Sequence, residues 1–228
     1  MNEFWAQYGA LLVQGTKDTL YMVFLSTFFG YVLGLPMGVL LYSTGKGGIL
    51  ENKPFNTVFS GFVNILRSFP FIILIVMLIP ATRLIVGQAI GRTAAVFPLT
   101  IGCCPFVARL VQSSLREIDK GVIEACQCMG AKKGTIIKVI LSESFPSLIR
   151  GVAMTAITLV GYSAIAGSVG AGGLGDIAIR YGYYRRTPSV MYRSVVIILV
   201  IVCATELPKI QTEETFCKTS YKHLLNPE

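Results

Sequence analysis

Residues 166–176 read Ala-Gly-Ser-Val-Gly-Ala-Gly-Gly-Leu-Gly-Asp, and they come nearest in this chain to a loop that could hold a ligand. A glycine-rich loop cradles phosphates because its backbone amides can close on the oxygens. That chemistry also needs a strand before the loop and a Lys-Ser or Lys-Thr pair opening the helix after it. Here a long apolar run precedes the glycines and no such pair follows, so nucleotide binding is not expected. Other chemistry-bearing residues are as sparse. The only histidine, His223, lies in a polar C-terminal stretch, which argues against histidine-based catalysis and histidine-rich metal sites. Cys126 and Cys128 are too close for a zinc knuckle, while Cys103, Cys104 and Cys203 lie in or at the end of apolar runs. The cysteines read as small hydrophobes, and no cofactor is implied. Arg67 and Arg109 are charges in or at the end of apolar runs, with no acid or histidine near them in sequence. Such a charge faces protein or water when it lies at membrane depth. Two isolated bases do not make the catalytic set of an intramembrane enzyme, and they are not the intramembrane acids of a secondary transporter.

The surroundings of these residues are apolar. The chain has 228 residues, of which 53% are hydrophobic and 14% charged, and a mean hydropathy of +0.65. Soluble domains carry about 25% charged residues. The fold class expected is all-α: a polytopic membrane protein of about five transmembrane helices in one domain. The net charge of +8 suits loops that face anionic lipid or an acidic partner. No basic stripe with interleaved aromatics is present, so nucleic acid is not an expected partner.

Taken in order, residues 1–17 are a short, partly amphipathic lead. Residues 19–41 are the first span, and its Gly30 and Gly34 form a small-xxx-small pair that predicts close helix packing. A Gly-rich polar loop covers 43–53. The second span, 55–79, is interrupted at Arg67-Ser68-Phe69-Pro70, read as the boundary between an interfacial helix and the span proper. A loop follows over 80–92. The third span, 94–110, is expected to be broken by Pro98, Gly102 and Pro105. The fourth, 147–165, runs into the glycine-rich stretch, where helix should stop because Gly costs about 1 kcal/mol against Ala. Non-helical backbone at that depth must be buried in protein or line water. Gly170, Gly172, Gly173 and Gly175 are therefore candidates for a translocation path. A basic, Tyr-rich loop covers 180–193. The last span begins at 194 and falls short of the roughly 20 residues a crossing needs. Residues 1–205 form the membrane domain, and the polar tail 206–228 is expected to be disordered or dispensable.

Between the third and fourth spans lies the longest stretch that is not apolar, residues 119–146. Asp119 can cap a helix whose inner face is Val122, Cys126 and Met129 at helical spacing. Gly130-Ala131 then gives a break, Gly134 a second possible one, and Ile136, Ile137 and Ile140 resume a helical face. The shape predicted is helix, tight turn, helix, on the water side of the membrane.

That arrangement resembles the cytoplasmic coupling loop of ABC importer permeases, whose pattern is Glu-Ala-Ala, three residues, Gly, then a spacer of about nine residues to Ile-x-Leu-Pro. Glu124, Ala125 and Gly130 match; Cys126 stands for the second Ala, and Ser142 stands where the family has Pro. Residues 67–74, Arg-Ser-Phe-Pro-Phe-Ile-Ile-Leu, are similar to the methionine ABC importer permeases, as are 79–87, 159–164 and 169–175. The Gly-Ala-Gly-Gly-Leu-Gly run is less specific, because osmoprotectant permeases carry a similar one, which leaves a betaine-type importer as the alternative.

The resemblance implies a permease without enzymatic activity in the bacterial cytoplasmic membrane. Its implied partners are a second copy of the chain, a pair of ATP-binding cassette ATPases, a surface-tethered substrate-binding lipoprotein and membrane lipid. It assigns Glu124, Ala125, Gly130 and Ala131 to ATPase coupling, with the Val122, Cys126 and Met129 side in the ATPase groove. Tyr162, Ser163 and Ile165 precede the glycine break and, with the path glycines, are assigned to the gate. Five spans place the N-terminus outside and the C-terminus inside. The basic residues favour the central-loop side as inside by a small margin.

Overall fold

The computed structural model describes residues 6–206 in full, together with the helical backbone of residues 2–5 and 207–225. The tail assigned to 206–228 therefore lies almost wholly outside the fully described residues. Among the described residues four helices are long and apolar enough to cross a membrane: Ala6–Ser43, Arg92–Arg116, Phe145–Gly167 and Pro188–Glu206. A fifth crossing is made if the bent pair Lys53–Ser68 and Phe71–Met77 counts as one span. No strand occurs among the described residues. The helices are α1 (Asn2–Ser43), α2 (Lys53–Ser68), α3 (Phe71–Met77), α4 (Ile79–Val86) and α5 (Arg92–Arg116). They continue as α6 (Lys120–Cys128), α7 (Lys133–Glu143), α8 (Phe145–Gly167), α9 (Gly173–Ile177) and α10 (Pro188–Leu225). A π-helical segment, Ala178–Tyr184, links α9 towards α10.

The centre of the molecule is the contact between α1 and α5. Gly30, Gly34 and Gly38 recur every four residues and so share one face of α1. A Cβ at Gly34 would lie 2.7 Å from Cβ of Val107, and one at Gly38 would lie 2.7 Å from the carbonyl of Ala108. Only bare backbone allows the two helices this approach. Phe71, Leu74, Leu99, Cys103, Leu159 and Val160 fill the space between α3, α5 and α8. Val107, Val111, Leu115, Cys126, Ile136, Ile140 and Leu148 form a second core where α6 and α7 fold back onto the bundle.

Two clusters of polar contacts mark the two ends of the bundle. At one end Arg92 pairs with Asp18 at 2.7 Å, the Gly91 amide donates to the Gly170 carbonyl at 3.2 Å, and the Leu174 amide donates to Thr19 Oγ1 at 3.0 Å. At the other end Ser147 donates to Glu117 at 2.9 Å, and Asn56 donates to the Leu41 carbonyl at 2.9 Å. The central loop lies at this second end.

Several expected boundaries are corrected. The lead expected over 1–17 is, from residue 2 on, continuous with the first span, because tertiary contact holds it in the helix: Leu12 packs with Leu174, Ile177 and Val190. The loop assigned to 80–92 contains α4, whose first turn holds Pro80; proline is tolerated there because that amide has no helical partner. Gly87, at φ +83°, ends it. Pro98 and Pro105 do not break the third span, since α5 runs unbroken for 25 residues. Buried neighbours on several sides hold it, as they can in a membrane helix. Gly134 lies within α7 and breaks nothing. The basic loop 180–193 is largely helical, and the last span starts at Pro188, which takes Arg193 inside it. The interruption at 67–70 is present: α2 and α3 meet there at 95°. Pro70 forces it, because residues before proline avoid helical backbone and Phe69 is extended at ψ 126°.

The tight approach at Gly38 yields a stability prediction. Gly38→Leu should lower stability by about 1–3 kcal/mol or more through overpacking. Gly61→Ala, on α2 where the added carbon meets nothing, should cause no loss. Thermal unfolding of the two purified variants in detergent checks this, and equal midpoints would refute the close contact.

Candidate functional site

The turn between α6 and α7 is built by local chemistry. Asp119 is extended, and its carboxylate accepts the Gly121 amide at 2.7 Å, satisfying a donor that the first helical turn leaves open. At the far end Gly130 takes φ +71°. Its amide donates to the Gln127 carbonyl at 2.9 Å, and the Ala131 amide donates to the Cys126 carbonyl at 3.0 Å. These two bonds are a Schellman motif, which needs a residue tolerant of left-handed backbone. The helix, turn and helix read from sequence are thus present.

The inner face differs from the one expected. Cys126 is buried within the chain against Ile136 and Ile140, and Val122 and Ile123 are half-buried beside it. Met129 points away from them and is 77% exposed. Cys126 therefore cannot press into a groove on another subunit. The periodicity located the apolar side of α6 but not the last residue, because the chain leaves helical geometry at Met129. The outward surface consists of Glu124, Ala125, Gln127, Cys128 and Met129, with exposed Lys132 and Lys133 beyond the turn. Glu124 forms no ion pair among the described residues.

The residues assigned to the gate separate. Tyr162 stacks on Phe71 with ring centroids 4.5 Å apart and planes 2° from parallel. Together they line a cavity of about 240 Å³ bounded also by Arg67, Leu74, Gly102, Phe106 and Thr158. Ser163 is buried and donates to the Val160 carbonyl at 2.7 Å. Ile165 stands 40% exposed on the side of α8. The helix stops at Gly167 as the glycine run predicts, and Gly170, Gly172 and Gly173 take φ of +86°, +82° and +80°. Gly173 and Gly175 are buried in protein: a Cβ at Gly173 would meet Thr19, and one at Gly175 would meet the backbone of Ala164. These glycines fold α9 back against α8 and α1. Gly170 and Gly172 are half-buried at the same end.

A second cavity, of about 360 Å³, adjoins the first and shares Arg67 and Phe106 with it. Its other lining residues are Arg109, Leu110, Gln112, Ser113 and Arg116. Arg109 donates to Ser60 Oγ at 2.6 Å, Asn64 Oδ1 at 2.7 Å and Gln112 Oε1 at 2.7 Å, so it bridges α5 to α2. Sequence reasoning marked Arg67 and Arg109 as costly charges but did not join them. They are far apart in the chain, and only the crossing of α2 over α5 puts them in one cavity.

Gly130→Asn should keep the turn, since Asn tolerates left-handed backbone, whereas Gly130→Leu should cost about 1–2 kcal/mol from the backbone alone. Space is not the difference, because nothing lies within 4 Å of an added carbon at Gly130. Limited proteolysis at 128–134 checks this, with faster cleavage expected for Leu only.

The arrangement is a helical bundle with two adjoining cavities and an exposed helix–turn–helix at one end. Residues 22–207 match the model of the binding-protein-dependent transport system inner membrane component family. The chain is 50% identical over 201 residues to a probable D-methionine transport system permease protein of Vibrio cholerae, covering 88% of this chain and 89% of that one. It is 49% identical over 192 residues to a methionine import system permease protein of Bacillus subtilis, covering 84% and 86%. A solved structure of the MetNI methionine ABC transporter, in an inward-facing conformation, superposes with a TM-score of 0.87 at 47% identity over 91% of this chain and 95% of that one. An amino acid ABC transporter solved with histidines shares the fold, with a TM-score of 0.74 at 22% identity over 92% and 96%. With this match over most of its length, the chain belongs to the family of binding-protein-dependent transport system inner membrane components.

Proposed function

We propose that this chain is the membrane-spanning subunit of an ATP-driven importer of methionine or a closely related amino acid. The observation that carries the reading is identity of about half, along nearly the whole chain, to permeases named for methionine transport. A betaine-type importer is disfavoured on the same ground. The chain supplies a path and a mechanical link, and ATP chemistry belongs to a separate ATPase. That ATPase docks on the α6–α7 turn, where Met129 is the exposed apolar residue amid Glu124, Lys132 and Lys133. Gly130 and Ala131 set the direction of that turn.

A second copy of the chain faces the first across α2, α3 and α8. Val58, Phe62, Ile65, Ile73 and Met77 stand exposed there, and the two cavities open nearby. Ile165 and its mate narrow the path between the copies and exclude water. The central-loop end is cytoplasmic, the glycine-rich end is outside, and a surface-tethered binding protein delivers substrate to the latter. Nucleotide state in the ATPase then biases the permease between two arrangements.

Reconstitution with the ATPase and binding protein in vesicles tests this. Labelled methionine should enter only with ATP. Met129→Glu should lose most uptake while the permease still inserts, and Ile165→Gly should raise leak without ATP. Absence of ATP-driven uptake by the intact assembly would refute the importer reading; unchanged leak would move the gate elsewhere.

Orientation is checked separately. A single cysteine at position 133 (Lys133→Cys in a cysteine-free chain) should resist an impermeant reagent applied to whole cells. Labelling from outside would invert the topology.

A further inference from the structure

We propose that Arg67, Arg109 and Arg116 form a binding site for an oxyanion, a carboxylate or phosphate group, in the cavity between α2 and α5. Three guanidinium groups line one cavity of about 360 Å³. Among the described residues none of them forms an ion pair; the nearby acid, Glu117, is turned towards Arg150 and Ser147. Like charges gathered without a counter-charge repel, and a charge drawn out of water is costly unless it is paired.

Arg109 is held in place without being neutralised. Ser60, Asn64 and Gln112 accept from its terminal nitrogens, and all three are uncharged. Its Nε is buried with no partner. Arg67 and Arg116 are exposed at the cavity rim, where two guanidinium forks can turn onto the oxygens of a carboxylate or phosphate. Salt bridges with water-exposed partners would not need such a pinned centre.

The neighbouring cavity suggests what the anion is attached to. It is lined by Phe71, Phe106, Leu74 and Tyr162, and it meets the arginines at Arg67 and Phe106. An anion carrying an apolar group can place its charge on the arginines and its apolar part against the rings. Two sources fit: the carboxylate of a transported amino acid, or the phosphate of a lipid entering from the central-loop side. The first rests on the proposed importer function; the second does not.

The test uses the full chain in nanodiscs, without ATP or ATPase, so that a failure of import and a failure of this site remain distinguishable. In phosphatidylcholine discs, binding of labelled methionine is measured with unlabelled methionine or its carboxamide as competitor. In discs containing phosphatidylglycerol, the lipid retained by the chain is counted by native mass spectrometry. Competition by methionine but not by the carboxamide assigns the site to the substrate carboxylate. Selective retention of phosphatidylglycerol assigns it to a lipid phosphate. The double variant Arg67→Gln, Arg116→Gln should weaken whichever anion binds by at least tenfold, since a hydrogen bond to a charged group is worth about that factor. Neither side chain has a hydrogen-bond or ion-pair partner among the described residues, so the fold should persist; Arg116→Gln alone serves if the double variant unfolds. Unchanged affinity in these variants, or no binding of either anion by the unaltered chain, overturns the proposal.

Discussion

The fold depends on how closely α1 and α5 approach. Inside a bilayer, helices gain little from leaving lipid for protein, so association rests on packing and on hydrogen bonds. Gly30, Gly34 and Gly38 remove the side chains that would hold the two backbones apart, and Cys103, Val107 and Val111 fill the groove. Ser26 adds a polar contact in the same seam, donating to the Val96 carbonyl at 3.4 Å. With one face of α5 taken by α1, its remaining faces are available to α2, α3 and α8. The cavities lie on that side.

The ends of the bundle are held by different means. At the glycine-rich end, backbone meets backbone where the Gly91 amide donates to the Gly170 carbonyl, glycines at positive φ turn the chain, and Asp18–Arg92 and Thr19 add side-chain contacts. At the central-loop end, side chains do the work: Glu117 joins α8 through Ser147 and Arg150, and Asn56 joins the loop after α1 to α2. Exposed ion pairs contribute little, about 0–1 kcal/mol each, so Asp18–Arg92 and Glu117–Arg150 fix orientation more than stability. The α6–α7 turn stands out from the other end on a short buried strip, in which Cys126 packs with Ile136, Ile140 and Leu148 of α8.

Burial gives two residues of the glycine-rich stretch a packing role. Gly173 and Gly175 are needed where α9 packs on α1 and α8. A cavity lies beside Tyr162, earlier on α8, where Phe71 and Phe106 supply an aromatic wall.

The sequence by itself determined the class, the all-α composition, most of the crossings, the break at Arg67–Pro70, the glycine interruption after α8, and the capped helix ending at Gly130. Each of these rests on short-range physics: apolar length, proline and glycine backbone preferences, or a carboxylate within reach of an amide two residues on. The tertiary structure decided the rest. Residues 2–17 join α1 because α9 and α10 pack on Leu12 and its neighbours, and Pro98 and Pro105 stay in α5 because neighbours enclose that helix. Cys126 turns inward and Met129 outward because α7 folds back on only one side of α6. The cavity of Arg67, Arg109 and Arg116 exists only because α2 crosses α5, which brings together residues more than 40 positions apart; no local spacing in the chain encodes that meeting.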